Sequence, residues 1–235
     1  MIKKIHITII LLVLLTIPLA TSAKSFHPEA NPTLEKDLFW TSSYFKKNSN
    51  AGVMTFRVWF KHPANKVWQT LTDTASFKDK MNNYSEAKTL SHVLFKKIVS
   101  ANPQTYQETE NIIGSNKLTS DHNRRKHKNW TDYIYFRFNF PWPLTDRWAV
   151  QKVKCNETNW RQHEYKLDYK TYVGNFVTLF GYWELVPVKG HPGWTEFRGR
   201  YESDAGISIP KFLSKKAMRS GLKKDVEEYR KILSR

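Results

Sequence analysis

From Gly52 onward the spacing of apolar and polar positions names most of the elements. Val53-Met54-Thr55-Phe56-Arg57-Val58-Trp59-Phe60 is β-branched and aromatic, which predicts a strand ended by His62-Pro63. Ala64, Val67, Trp68 and Leu71 then recur at three and four, the stripe of a short helix, with Phe77 and Met81 extending it. After Asn82-Asn83 the period falls to two. Strands are predicted over 86–92, 94–100, 104–113, 131–140, 147–156, 163–172, 176–186 and 195–203. The clearest is 131–140, where Tyr133, Tyr135, Arg137 and Asn139 alternate with Ile134, Phe136, Phe138 and Phe140. Alternation shows that there are two faces without saying which points inward.

Pro210 suits a first helical turn. Leu213, Ala217, Met218, Leu222, Val226, Tyr229 and Leu233 then recur at three and four, and Lys215, Lys216, Lys223, Lys224, Asp225, Glu227 and Glu228 make the opposite face. This predicts a long amphipathic C-terminal helix. Strand, short helix, antiparallel meander and long helix is an α+β order. A curved sheet closing on such a helix leaves a cavity where the facing side chains do not fill the space. No internal repeat interrupts this single domain.

Composition narrows the reading. The 235 residues carry 38 Lys and Arg against 21 Asp and Glu, a net charge of +17. With 40% hydrophobic and 14% aromatic residues, low-complexity disorder is excluded. The single cysteine, Cys155, excludes an internal disulfide and a four-cysteine zinc site. At the N-terminus, Lys3 and Lys4 precede an apolar run from Ile7 to Ile17, then Pro18 and Thr21-Ser22-Ala23. That run is too short to span a bilayer and reads as a cleaved secretory signal over 1–23. Residues 24–50, with Pro28, Pro32 and the apolar knot Leu38-Phe39-Trp40, read as an N-terminal extension before a domain over 51–235. An exported domain without disulfides suits the bacterial periplasm.

Three motifs, in order, resemble START domains, the lipid-transfer branch of the helix-grip superfamily. Phe140-Pro141-Trp142-Pro143-Leu144-Thr145-Asp146-Arg147-Trp148 is similar to their strand junction PWP-x-(S/T)-(D/N)-R-(D). Its prolines fix the backbone, and Asp146 and Arg147 can tie the corner. Gly206-Ile207-Ser208-Ile209-Pro210-Lys211 resembles the entry to their C-terminal helix, and the run from Pro63 to Asp73 resembles their first helix. The resemblance covers Gly52 to Leu233 and implies a helix-grip fold: a curved antiparallel sheet wrapped around the C-terminal helix. It also implies one lipid or other hydrophobic small molecule held between them. The chain departs from the pattern at Trp148, where the family has Asp. It departs again at Val153, where some sterol-binding members have an inward Arg, so no sterol anchor carries over.

By the same resemblance the C-terminal helix and the loop at 170–176 gate the cavity. Tyr172, Phe176, Met218, Leu222 and Val226 would then line or gate it; they read equally as ordinary core and loop residues. Among the strand aromatics, Phe56, Phe136 and Phe138 are candidates for the wall, with Trp59, Tyr165, Tyr182 and Trp183 beside them. Gly221 either leaves room for a ligand or allows close helix–sheet packing. The basic run Arg124, Arg125, Lys126 and Lys128, together with Lys215 and Lys216, suits docking on an anionic membrane surface, or is a solvated face. A nucleic-acid partner is not expected, because no aromatic-interleaved recognition motif accompanies the basic run.

Enzyme readings are thinner. His122 and His127 have no further ligand set, so neither metal nor cofactor is expected. Cys155 reads as a core thiol. Glu108 and Glu110 share one face of a predicted strand, either as an acid/base pair of a helix-grip cyclase or hydrolase, or as a solvent face. A basic membrane-surface module is the other alternative. The expected state is a monomeric lipid carrier.

Overall fold

A computed structural model of the chain describes residues 38–115, 128–139, 146–208 and 210–235. The proposed signal over 1–23, the basic residues Arg124, Arg125 and Lys126, and Pro141, Trp142 and Pro143 lie outside them.

Eight strands form one open antiparallel sheet in the order β1-β2-β8-β7-β6-β5-β4-β3. They are β1 (Phe39–Phe45), β2 (Gly52–Phe60), β3 (Tyr84–Leu90), β4 (Asn129–Phe138), β5 (Arg147–Asn156), β6 (Tyr165–Gly174), β7 (Thr178–Pro187) and β8 (Thr195–Asp204). Helices α1 (Ala64–Thr72) and α2 (Phe77–Lys80) follow β2, α3 (His92–Ala101) and α4 (Tyr106–Ile113) follow β3, and α5 (Lys211–Leu233) ends the chain. The α+β class read from the sequence is the observed one. Among the described residues no helix is long and apolar enough to cross a membrane.

The inner face of the sheet is covered by α1, α2 and α5. Phe56, Val58 and Phe60 of β2, Ile134 and Phe136 of β4, and Val153 and Cys155 of β5 meet Val67, Trp68, Leu71 and Phe77 there. Alternation on β2 and β4 delivers these residues to one face. Cys155 is buried in this core, as read. Trp68 stacks on Tyr165 at 5.2 Å, and its indole N–H donates to Glu157 Oε1 at 2.5 Å. Lys66 of α1 donates to the carbonyl of Leu233 at 2.7 Å, which ties α1 to the last turn of α5.

The outer face corrects two predicted strands. Residues 94–100 and 104–113 are helical. Leu94, Phe95 and Ile98 are the buried positions of α3, a helical spacing rather than an alternating one. Ser91 caps α3 by accepting from the Leu94 N–H at 3.1 Å, and Thr105 caps α4 by accepting from the Glu108 N–H at 3.2 Å. Thr105 and Glu108 thus cap this end reciprocally, with the Glu108 carboxylate accepting from the Gln104 N–H at 2.8 Å. Together α3 and α4 build a second core with Tyr135, Trp148, Val150 and Val173. This explains Trp148: where the family pattern has an Asp, an almost wholly enclosed indole fills the space beneath these helices.

The extension predicted over 24–50 is not free throughout. Residues 39–45 form β1, which pairs along β2 from Phe39 opposite Val58 to Phe45 opposite Gly52.

Because α3 holds the outer core chiefly through Ile98, Ile98→Ala should cost about 2–4 kcal/mol in urea unfolding, with the slope of the transition unchanged.

Candidate functional site

The site lies between the inner face and α5, and the helix covers that face unevenly. Its C-terminal half buries Val226, Tyr229 and Leu233. Its N-terminal half does not seal: Phe212 is 70% exposed, Leu213 is exposed, and Met218 and Leu222 are half-buried. Met218 lies so close to β2 that a side chain at Gly52 would meet its sulfur at 2.7 Å. The Tyr201 hydroxyl lies 3.2 Å from Met54 Sδ and 3.4 Å from the Met218 carbonyl.

Across the same face runs a set of half-buried aromatic side chains. Tyr84 packs 5.0 Å from Phe138, Phe138 packs 5.9 Å from Phe176, and Tyr169 packs 5.6 Å from Trp183. Burial pushes the Tyr84, Tyr169, Tyr201 and Tyr229 hydroxyls above their ordinary range. Tyr84, Tyr169 and Tyr201 keep some accessible surface, whereas Tyr229 is buried.

Asp225 is the polar exception on the inner stripe. Its position corrects the sequence reading, which set it on the solvated face with Lys223 and Lys224. Met218, Leu222, Asp225 and Tyr229 follow one another at four, three and four, so a single face of α5 presents all of them. Asn83, just before β3, donates through Nδ2 to Asp225 Oδ1 at 2.5 Å. Desolvation, with the nearby Glu228 adding to it, raises this carboxyl to about 7; the Asn83 hydrogen bond acts in the other direction.

The predicted wall residues divide. Phe56, Phe136 and Phe138 are on the inner face, with Tyr165 and Trp183. Trp59 is on the outer side, where its indole donates to Glu196 at 2.9 Å, and Tyr182 lies there too, under Lys166. Tyr172 is also corrected. It lies an odd number of positions from the inward Tyr165, Leu167 and Tyr169, so alternation turns it outward, and its ring meets Phe95 of α3 at 5.3 Å. Most of the predicted loop at 170–176 is strand β6, and the connection to β7 is short, 175–177. Phe176 in that connection does reach inward to Phe138. Val226 is fully buried, and Gly221 faces open space, so it neither makes room for a ligand nor brings helix and sheet together.

Glu108 and Glu110 are not an inward pair. Both ride on α4 against the outer core, where Glu110 accepts from the Tyr135 hydroxyl at 2.7 Å and from Arg137 at 3.0 Å. Backbone carbonyls take part in tying the corner at Asp146 and Arg147, and the Asp146 carboxylate lies 3.8 Å from Arg137. Arg147 donates to the Ala205 carbonyl at 2.9 Å, while Asn175 accepts from the Trp148 N–H at 2.8 Å and donates to the Asp146 carbonyl at 3.0 Å. Lys128, Lys215 and Lys216 are exposed, and Pro210 directly precedes α5.

No protein-family model and no curated protein matches the chain. Solved structures do. A STAR-related lipid transfer protein fragment from Xanthomonas axonopodis superposes with a TM-score of 0.59 at 15% identity, over 86% of this chain and 96% of that one. The chain has the START-like helix-grip fold. The lipid transfer and protein localization domain of human StarD13 shares this START-like fold at a TM-score of 0.55 and 12% identity, over 83% and 84% of the two chains. So does the Zhui aromatase/cyclase from Streptomyces, at 0.51 and 10%, over 79% and 94%.

The raised acid of this START-like domain has a consequence for stability. Folded, Asp225 holds its proton up to about pH 7; unfolded, it releases it at its ordinary 3.8. The native state therefore binds the extra proton between those values, and stability falls as pH rises through that window. Asp225→Asn should abolish that fall and leave the variant about 1–2 kcal/mol more stable than the parent at pH 8, read as a Tm higher by a few degrees.

Proposed function

We propose that the protein binds and transfers one hydrophobic ligand, a lipid, in a cavity between the inner face of the sheet and the N-terminal half of α5. One observation carries this: half-buried aromatic and aliphatic side chains (Tyr84, Phe138, Tyr169, Trp183, Tyr201, Leu222) gather under a helix half that is not sealed onto the sheet. An apolar lining of this kind gains about 0.8 kcal/mol per methylene withdrawn from water, so a chain-like ligand needs few polar contacts. The lipid-transfer names of two structural neighbours agree with this reading.

Exchange would take place at a membrane. Phe212 and Leu213 on α5, with Val177 in the β6–β7 connection and Phe180 at the start of β7, are exposed apolar side chains. Val177 packs beside Gly206, just ahead of α5, so the β6–β7 connection adjoins the helix entry. Lys211, Lys215 and Lys216 surround the helix residues, a combination that suits an anionic bilayer. Export to the periplasm, with a monomeric carrier there, completes the proposal.

The neighbouring aromatase/cyclase keeps a second reading in play, an enzyme acting on a hydrophobic substrate, and Asp225, poised near neutrality in the interior, is the observation that favours it.

Protein purified with its own leader from a bacterial periplasm should show a stoichiometric lipid adduct in native mass spectrometry. A clean apo mass, with no uptake from anionic liposomes, would overturn carriage. Phe212→Glu combined with Leu213→Glu should slow transfer between phosphatidylglycerol-containing vesicles about tenfold or more while leaving the amount of bound lipid unchanged.

A further inference from the structure

We propose that Asp225 and Asn83 form an anchor for a hydrogen-bond donor, a hydroxyl or an ammonium, at the polar end of the bound ligand, and that anionic ends are rejected. The inference rests on the carriage reading and says which lipids fit it.

The geometry is that of two acceptors held side by side. Asn83 spends its Nδ2 on Asp225 Oδ1, so its own Oδ1 is the other arm of an amide already held against the carboxylate. That Asn83 Oδ1 is buried and has no hydrogen-bond partner. A buried acceptor left without a donor is rare in folded proteins, because it forfeits its hydration with nothing in exchange. The Asp225 carboxylate is the adjacent acceptor: its Oδ1 takes the Asn83 bond, and its Oδ2 is left for a further donor. A ligand group carrying one or more protons completes the pair.

The surroundings settle the charge. Facing or flanking the carboxyl are Glu228 and Tyr229 from α5, Tyr84 from β3, Tyr201 from β8, and Tyr169 from β6 next to these tyrosines. None is a base. A ligand carboxylate or phosphate placed here would meet an acid in a poorly hydrated space; among the described residues no cation acts on Asp225, and Lys231 is paired with Glu228. An ammonium supplies the counter-charge, and the aromatic rings around it add cation–π attraction. A hydroxyl donates to the same oxygens without bringing charge. The proton that Asp225 holds up to about pH 7 then competes with an ammonium for the site, so amine binding weakens on acidification and alcohol binding does not.

The test uses the delipidated full chain, Nile red as a neutral reporter, and three competitors with one chain length: dodecylamine, dodecanol and dodecanoate. At pH 8 dodecylamine and dodecanol should displace the dye at concentrations at least about tenfold lower than dodecanoate. Lowering the pH to 5.5 should weaken dodecylamine about thirtyfold and leave dodecanol unchanged. Asp225→Asn should lose the advantage of dodecylamine over dodecanoate, each competitor being read against the variant's own affinity for Nile red. Asn83→Ala should weaken dodecanol and dodecylamine, which serves as the check if Asp225→Asn folds poorly. Equal displacement by all three competitors, or the same ratios in parent and variants, overturns the anchor while leaving carriage intact. Failure of the dye and every competitor to bind overturns carriage, and the anchor with it.

Discussion

Everything at the site depends on α5 being fastened at one end. Val226, Tyr229 and Leu233 are driven into the inner core, and Lys66 closes the final turn by donating to the Leu233 carbonyl. Burying three large side chains is worth several kcal/mol, enough to hold the helix without help from its other half. The other half lies over the sheet with Phe212 and Leu213 exposed and Met218 and Leu222 half-buried, and several aromatic side chains of that face keep accessible surface. A helix packed evenly along its length would have produced an ordinary core.

The outer face explains why the sheet tolerates this. Helices α3 and α4 cover it with a core of their own, centred on Ile98, Tyr135 and Trp148. The strands β3 to β6 are therefore supported from behind, and their geometry does not rely on contents of the inner side. Burial on both faces also accounts for the composition of β4, where both alternating sets, Tyr133 and Tyr135 as well as Ile134 and Phe136, are rich in large rings.

Much of this was legible in the sequence, and the failures are instructive. Residue types located β2 and alternation located β3 to β8, because a half-polar strand in a two-layer structure leaves a period of two. The same expectation misread 94–100 and 104–113, where short apolar runs fit either period; the caps at Ser91 and Thr105 were the available signal for helix. β1 was missed because its residues, Phe-Trp-Thr-Ser-Ser-Tyr-Phe, pair at a sheet edge and leave a weak hydrophobic pattern. Asp225 was assigned to the solvated face because charge was allowed to decide over spacing. Its distance of three from Leu222 and four from Tyr229 already placed it on the inner stripe. Tyr172 has the opposite parity to Tyr165, Leu167 and Tyr169, so once these face inward the spacing itself sends it outward; what spacing could not show is that a register shift turns Val173 to the same outer side.

Fastening at one end also makes α5 a lever. From Val226, the first residue of the fixed segment, to Phe212 the helix runs 14 residues, about 21 Å at 1.5 Å per residue. A tilt of about 10° around that pivot carries Phe212 through about 4 Å, roughly the thickness of an acyl chain, while Tyr229 and Leu233 barely move. Small changes where the fixed and free segments meet are thus magnified at the tip, and the residue at that junction is Asp225.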